Sequence, residues 1–156
     1  MFSKFLKILF ALLVLISVQN CGYQPLLTEK YQKFNINTFD ISGDKKLGQM
    51  LVNRFIEVKD SENQLLCRIN IERNRKISNK DDSGKVLEYS LDINLNLEAL
   101  SVLDGSSVLR KNYSQKKSYK ASKFYIDTLS REKIIADNLI KSITNQIISD
   151  LNLIYK

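Results

Sequence analysis

From residue 87 to residue 99 the chain alternates without a break. Leu87, Tyr89, Leu91, Ile93, Leu95, Leu97 and Ala99 are separated by Glu88, Ser90, Asp92, Asn94, Asn96 and Glu98. Successive side chains of a strand point to opposite faces, so this pattern predicts one long strand with a buried face and a wet face. The second face carries only polar side chains, and it must meet water or a polar partner.

The rest of the chain organises around that strand. Phe34–Ile41 reads as a first short strand, and Ser42-Gly43-Asp44 as a turn with capping residues. A helix is expected from about Lys45 to Val58, with Leu47, Met50, Leu51, Phe55 and Val58 on one stripe. Gln64 to Ile77 reads as a strand with Leu65, Cys67, Ile69 and Ile71 on one face and Arg68, Asn70 and Glu72 on the other. Asp104-Gly105 signals a hairpin after the long strand, followed by a basic return strand from Ser107 to about Tyr119. A second helix is expected from Thr128 or Ser130, either able to cap it, to about Asn152. Ile135, Leu139, Ile143, Ile147 and Leu151 recur there every four residues. The order β-α-β-β-β-α predicts an α+β domain: a four-stranded mixed sheet with two helices packed on one face. The β-α-β unit should be a right-handed parallel crossover and the last three strands an antiparallel meander.

The N-terminus has a different character. Lys4 and Lys7 precede an uncharged apolar run from Ile8 to Val18, which ends just before Cys21. A positive n-region and a short apolar h-region make a secretory signal, and Ile8–Val18 is shorter than the roughly 20 apolar residues of a membrane span. The cysteine at its end points to a bacterial lipoprotein signal, with Cys21 as the lipid-bearing first residue of the mature chain. Asn20 stands where such signals usually have a small residue. An uncleaved anchor, or an ordinary signal with a coincidental cysteine, are the other readings. The expected organisation is a signal peptide over 1–20, a tether over 21–33 broken by Gly22 and Pro25, and a single domain over 34–156.

Composition narrows the function. The net charge is +7, and it is +5 once Lys4 and Lys7 are set aside. An exported basic domain meets phospholipid headgroups, lipopolysaccharide phosphates or acidic proteins, so no nucleic-acid partner is expected. There is no histidine. That removes Ser-His-Asp and Cys-His nucleophile systems and the commonest ligand of catalytic zinc. No catalytic constellation, metal site or cofactor site is expected, and Asp81-Asp82 reads as a hydrated turn. With Cys21 lipidated, Cys67 is a free and buried thiol. Two basic clusters remain: Arg73, Arg75, Lys76 and Lys80, and then Arg110, Lys111, Lys116, Lys117, Lys120 and Lys123. Either could be a solvated or edge-protecting surface, since lysines on edge strands deter aggregation.

Cys21-Gly22-Tyr23-Gln24-Pro25-Leu26-Leu27 resembles the start of mature chains in the LPS-assembly lipoprotein family (LptE-like). The resemblance extends through Glu88-Tyr89-Ser90-Leu91, Asp104-Gly105, Ser118-Tyr119 and the closing helix up to Gln146-Ile147. It implies two helices on a four-stranded sheet, tethered at the inner leaflet of the outer membrane. It also implies a role as plug and folding aid for a large β-barrel, LptD-like, that delivers lipopolysaccharide to the surface. The polar face of the long strand suits a hydrophilic lumen. The family's lipopolysaccharide contacts would fall nearest Lys80, and Lys120 or Lys123, with the basic strand Arg110, Lys111, Lys116 and Lys117 as the adjoining candidates. The other expectation is an auxiliary lipoprotein of an ABC-type lipid transporter, or a secretin pilotin.

Overall fold

The computed structural model describes residues 32–155. Its elements are β1 (Asn35–Gly43), α1 (Lys45–Val52), β2 (Gln64–Lys80), β3 (Val86–Ser101), β4 (Ser107–Lys120) and α2 (Tyr125–Ile154). The strands form one mixed sheet in the order β1-β2-β3-β4. β1 runs parallel to β2, while β2, β3 and β4 form an antiparallel meander. The fold is α+β, in the element order expected. Cys21 and the leader lie outside the described residues.

The alternation of β3 sets the core. Leu91, Ile93, Leu95 and Ala99 are fully buried on the inward face, joined by Leu65, Cys67 and Ile71 of β2. Ile140, Ile143 and Ile147 of α2 and Leu47 and Leu51 of α1 belong to the same continuous cluster. Burying such side chains stabilises by about 1.5–3 kcal/mol each before conformational entropy is set against it. Cys67 is a free buried thiol as expected, and burial pushes its pKa up to about 12.

Two helix boundaries differ from the sequence reading. α1 is capped at Asp44, whose carboxylate accepts from the backbone N–H groups of Lys46 and Leu47, each at 3.1 Å. It stops at Val52 rather than Val58, because the chain must turn back to start a strand parallel to β1. Arg54 and Phe55 donate to Leu51 and Val52 in tight three-residue turns. Phe55 then packs on Phe39 of β1 with ring centroids 5.4 Å apart, and the Val58 N–H donates to the Asn35 side chain at 3.1 Å.

α2 starts at Tyr125, before either expected cap, and Phe124 at its N-cap makes no side-chain bond. Thr128 is buried inside the helix, where its hydroxyl accepts from the Ser122 N–H at 2.9 Å and ties down the preceding loop. Ser130 donates to the Ile126 carbonyl within the helix. The packed body also takes in two residues of the expected tether. Gln32 is buried and donates to the Ile56 carbonyl at 2.8 Å, and the Lys33 N–H donates to Asn152 of α2 at 3.0 Å.

Candidate functional site

Both meander turns are built on an aspartate. Asp81 accepts from the Ser83 hydroxyl at 2.6 Å and from the Ser83 and Lys85 N–H groups at 3.0 Å, with Gly84 at positive φ. The Ser83 hydroxyl is the main reason its carboxyl is held below the usual range. Asp104 does the same for the other turn, accepting from the Ser106 hydroxyl at 2.8 Å beside Gly105. Among the described residues no three acidic or cysteine side chains gather in a way that could hold a metal ion.

The basic strand β4 divides its cations between two faces. Arg110, Lys116 and Lys120 stand opposite Glu98, Asp92 and Glu88 of β3, on the helix-free face. Glu98 binds both Arg110 and Arg68, and the Arg110 hydrogen bond is the main reason its carboxyl is held low. Asn70, Asn96 and Asn112 form the next rung across β2, β3 and β4. This face is polar from Glu98 to Glu88, and opposite charges meet along it. Asp40, Arg68, Asn70, Asn96, Glu98 and Arg110 line a shallow depression in it.

Lys111 and Lys117 stand opposite Leu97 and Leu91, on the helix-bearing face. Lys111 is a clamp. Its ammonium lies 2.8 Å from Asp150 of α2, which also accepts from the Tyr113 hydroxyl at 2.7 Å. Burial alone would raise the Asp150 pKa, but these two bonds outweigh it and hold the carboxyl low.

A different arrangement occupies the end of the sheet at the β2–β3 turn. The inward face of the strands continues there beyond the helices, so Ile77 and Leu87 are 49% and 42% exposed although their pattern matches the core. The expectation that Leu87 is buried fails for this reason: alternation assigns a face, and no helix covers that part of it. The first turns of α2 add Phe124, Tyr125, Ile126 and Leu129, all exposed. Arg75 organises the base of this surface. Its guanidinium lies 3.9 Å from the Tyr89 ring centroid, 3.2 Å from Glu132, and 3.4 Å from the Tyr125 hydroxyl. Tyr119 stacks on Tyr89 and donates to Glu132 at 2.7 Å, and burial with that bond pushes its pKa up.

The structure therefore brings only some of the candidate residues together. Lys117 of β4 and Lys123 before α2 border the apolar end, whereas Lys80 pairs with Val86 at the irregular β2–β3 turn and is not brought against it. Lys123 sits 5.9 Å from the Phe124 ring centroid. Lys116 and Lys120 face the other side, while Arg110 and Lys111 are held in ion pairs. Sequence reasoning singled out the cations and missed the apolar half of the site. Its signal was the apolar run Phe124-Tyr125-Ile126 beside Lys123, which lies ahead of the expected helix start.

No family model matches the chain, and no curated protein matches it. Solved structures do. A candidate lipoprotein from Caulobacter crescentus has a TM-score of 0.55 at 12% identity, over 80% of this chain and 92% of that one. A minor lipoprotein from Acinetobacter baumannii gives 0.51 at 16% identity, over 77% and 92%. An uncharacterised lipoprotein B from Nitrosomonas europaea gives 0.50 at 15% identity, over 81% and 88%. At these identities the likeness is one of fold.

Proposed function

We propose that the protein is an outer-membrane lipoprotein anchored through Cys21, without enzymatic activity. On this reading it partners an LptD-like β-barrel as plug and folding aid, and contacts lipopolysaccharide during its assembly at the surface. The observation that carries the reading is the end of the sheet described above, where apolar and aromatic side chains lie bordered by Lys117 and Lys123. A phosphorylated glycolipid offers both halves of the complement: acyl chains for the apolar residues and phosphates for the ammonium groups.

Two further features support it. The helix-free sheet face is polar along its central length, which suits a hydrophilic lumen. The 16 residues of β3 extend about 50 Å at strand rise. That matches the roughly 40–45 Å of a bilayer with its headgroups, so one end can sit at the inner leaflet while the other reaches the outer.

The test is direct binding of purified lipopolysaccharide. Reversal of Lys117 and Lys123 to Glu should weaken binding strongly while leaving thermal stability nearly unchanged. Binding by the native protein should fall between 0.1 and 1 M salt, as the Debye length drops from about 10 to about 3 Å. Affinity that survives the reversal and is flat in salt would refute the lipid contact. Failure of any β-barrel to copurify from outer-membrane extract would refute the plug.

A further inference from the structure

We propose that in the anchored protein, before any barrel encloses it, the opposite end of the domain, formed by the β3–β4 turn and the last turn of α2, lies against the phospholipid surface. This inference rests on the reading that Cys21 carries the lipid anchor.

Four large apolar side chains stand out there. Leu103 is 85% exposed, more than any other large apolar residue described, and Val102 is 50% exposed. Leu153 and Ile154, at the end of α2, are 58% and 46% exposed. The turn does not need Val102 or Leu103 for its own structure. Asp104, Gly105 and Ser106 close it with their own hydrogen bonds, and the Asp104 carboxylate is occupied within the turn.

The chain enters the fold at this same end. The Val102 N–H donates to the Gln64 carbonyl at 2.9 Å, and Gln64 is the register partner of Asn35 at the start of β1. Two residues earlier, the Lys33 N–H is bound to Asn152, next to Leu153. The β3–β4 turn, the start of β1 and the end of α2 thus meet at one end of the sheet.

Chain length decides which end faces the membrane. From Cys21 to Gln32 a fully extended backbone reaches at most about 36–40 Å. β3 alone is about 50 Å long. An anchor at Cys21 therefore cannot let the domain stand on its far, basic end, because Gln32 would then lie beyond the reach of the tether. The end carrying Val102 and Leu103 is the one held next to the bilayer. Four exposed apolar side chains at that position suit the boundary between headgroups and acyl chains, where the apolar face of a peripheral protein is buried. The anchor supplies attachment, and this end supplies orientation.

The chain contains no tryptophan, so a single introduced indole reports its own position. A chain from Cys21 to Lys156 keeps every residue of the described fold. Its Cys21 thiol can be coupled to a maleimide-bearing lipid in phosphatidylethanolamine–phosphatidylglycerol vesicles, while buried Cys67 stays unreactive. In this form Leu103→Trp should shift its emission to the blue. It should also be quenched two-fold or more by lipids brominated in the upper acyl chain. Leu153→Trp should behave alike, and Leu129→Trp, at the other end, should not respond. Emission from Leu103→Trp and Leu153→Trp that is the same on plain and brominated vesicles overturns the inference. Acyl labelling of Cys21 in cells is read separately. Label without quenching removes this inference and leaves the anchor. Quenching without label leaves the membrane-seeking end and removes the lipid.

Discussion

Gly48 sets two effects against each other at a single atom. It lies in α1 and is buried against β1. Alanine is favoured over glycine in a helix interior by about 1 kcal/mol, so propensity alone makes Gly48→Ala stabilising. The structure reverses the sign. A Cβ built on Gly48 would sit 2.4 Å from Cγ2 of Ile41, with Cδ1 at 3.5 Å and Cβ at 3.6 Å. The first contact is impossible without movement. Ile41 is β-branched and stiff at χ1 within a strand, so it cannot rotate away freely. Overpacking of this kind costs about 1–3 kcal/mol, and the net effect should be a destabilisation of about 1–2 kcal/mol. Ile41→Ala removes Cγ2 and Cδ1 and leaves an ordinary contact at 3.6 Å. In that background Gly48→Ala should stabilise, giving a coupling of about 2 kcal/mol. Urea unfolding of the four proteins of this cycle measures it. A stabilising Gly48→Ala in the native background, or an effect that is the same in both backgrounds, would show that helix and strand are not in the contact described.

Further expectations follow from the buried and paired groups. Asp150 is held low by Lys111 and Tyr113, so its contribution is present above the unfolded carboxylate pKa and is lost as pH falls through the folded one. Asp150→Asn should cost about 1–2 kcal/mol at neutral pH and nearly nothing at about pH 2, as urea titrations at both values will show. Cys67→Ala should cost roughly 1–2 kcal/mol, and the native thiol should resist thiol reagents at pH 8 until the protein unfolds. Because the Cys67 pKa is raised to about 12, its neutral form favours the fold. That stability should fade as pH rises through the range between the unfolded thiol value and the folded one, measurable as a Cys67-dependent loss in alkaline melts. Gly43 has φ +79 and a built Cβ would meet the Ile71 carbonyl oxygen at 2.1 Å, so Gly43→Ala should destabilise by about 2 kcal/mol or more in thermal melts. Cys21→Ala should abolish metabolic acyl labelling, and labelling that persists would rule out the anchor.

The strands were legible because each carries its period in its own residues. Leu91 to Ala99 alternate, and the sheet buries them as the alternation says. What periodicity could not convey was cover. Leu87 and Ile77 belong to the inward face, yet they lie past the start of α2, and that boundary depends on where the Ala121–Phe124 loop is pinned. The pin is Thr128, a residue that looks like a cap and acts as an acceptor for Ser122. The end of α1 was hidden for a similar reason. Phe55 and Val58 fit the helical stripe, but their tertiary partners are Phe39 and Asn35 of β1. The candidate site was half visible. Its lysines announce themselves by charge, whereas the partition of β4 between two faces follows from the register with Glu98 and Leu97. Lys111 shows the limit, since only the position of Asp150 turns it from a surface cation into a clamp.

The sheet's mixed pairing also imposes an order of assembly. β2, β3 and β4 are joined by two short turns, each closed by its own aspartate, so the meander can form from contacts close in sequence. β1 is different: it reaches its place beside β2 only across α1 and the segment that follows, and a parallel pair cannot close through a tight turn. Loop-closure entropy makes such a contact the slower one. A chain that emerges N-terminus first therefore presents β1 before its partner exists. The first strand must wait, with Ile36, Phe39 and Ile41 unburied, until β2 has been delivered and the meander is in place to receive it.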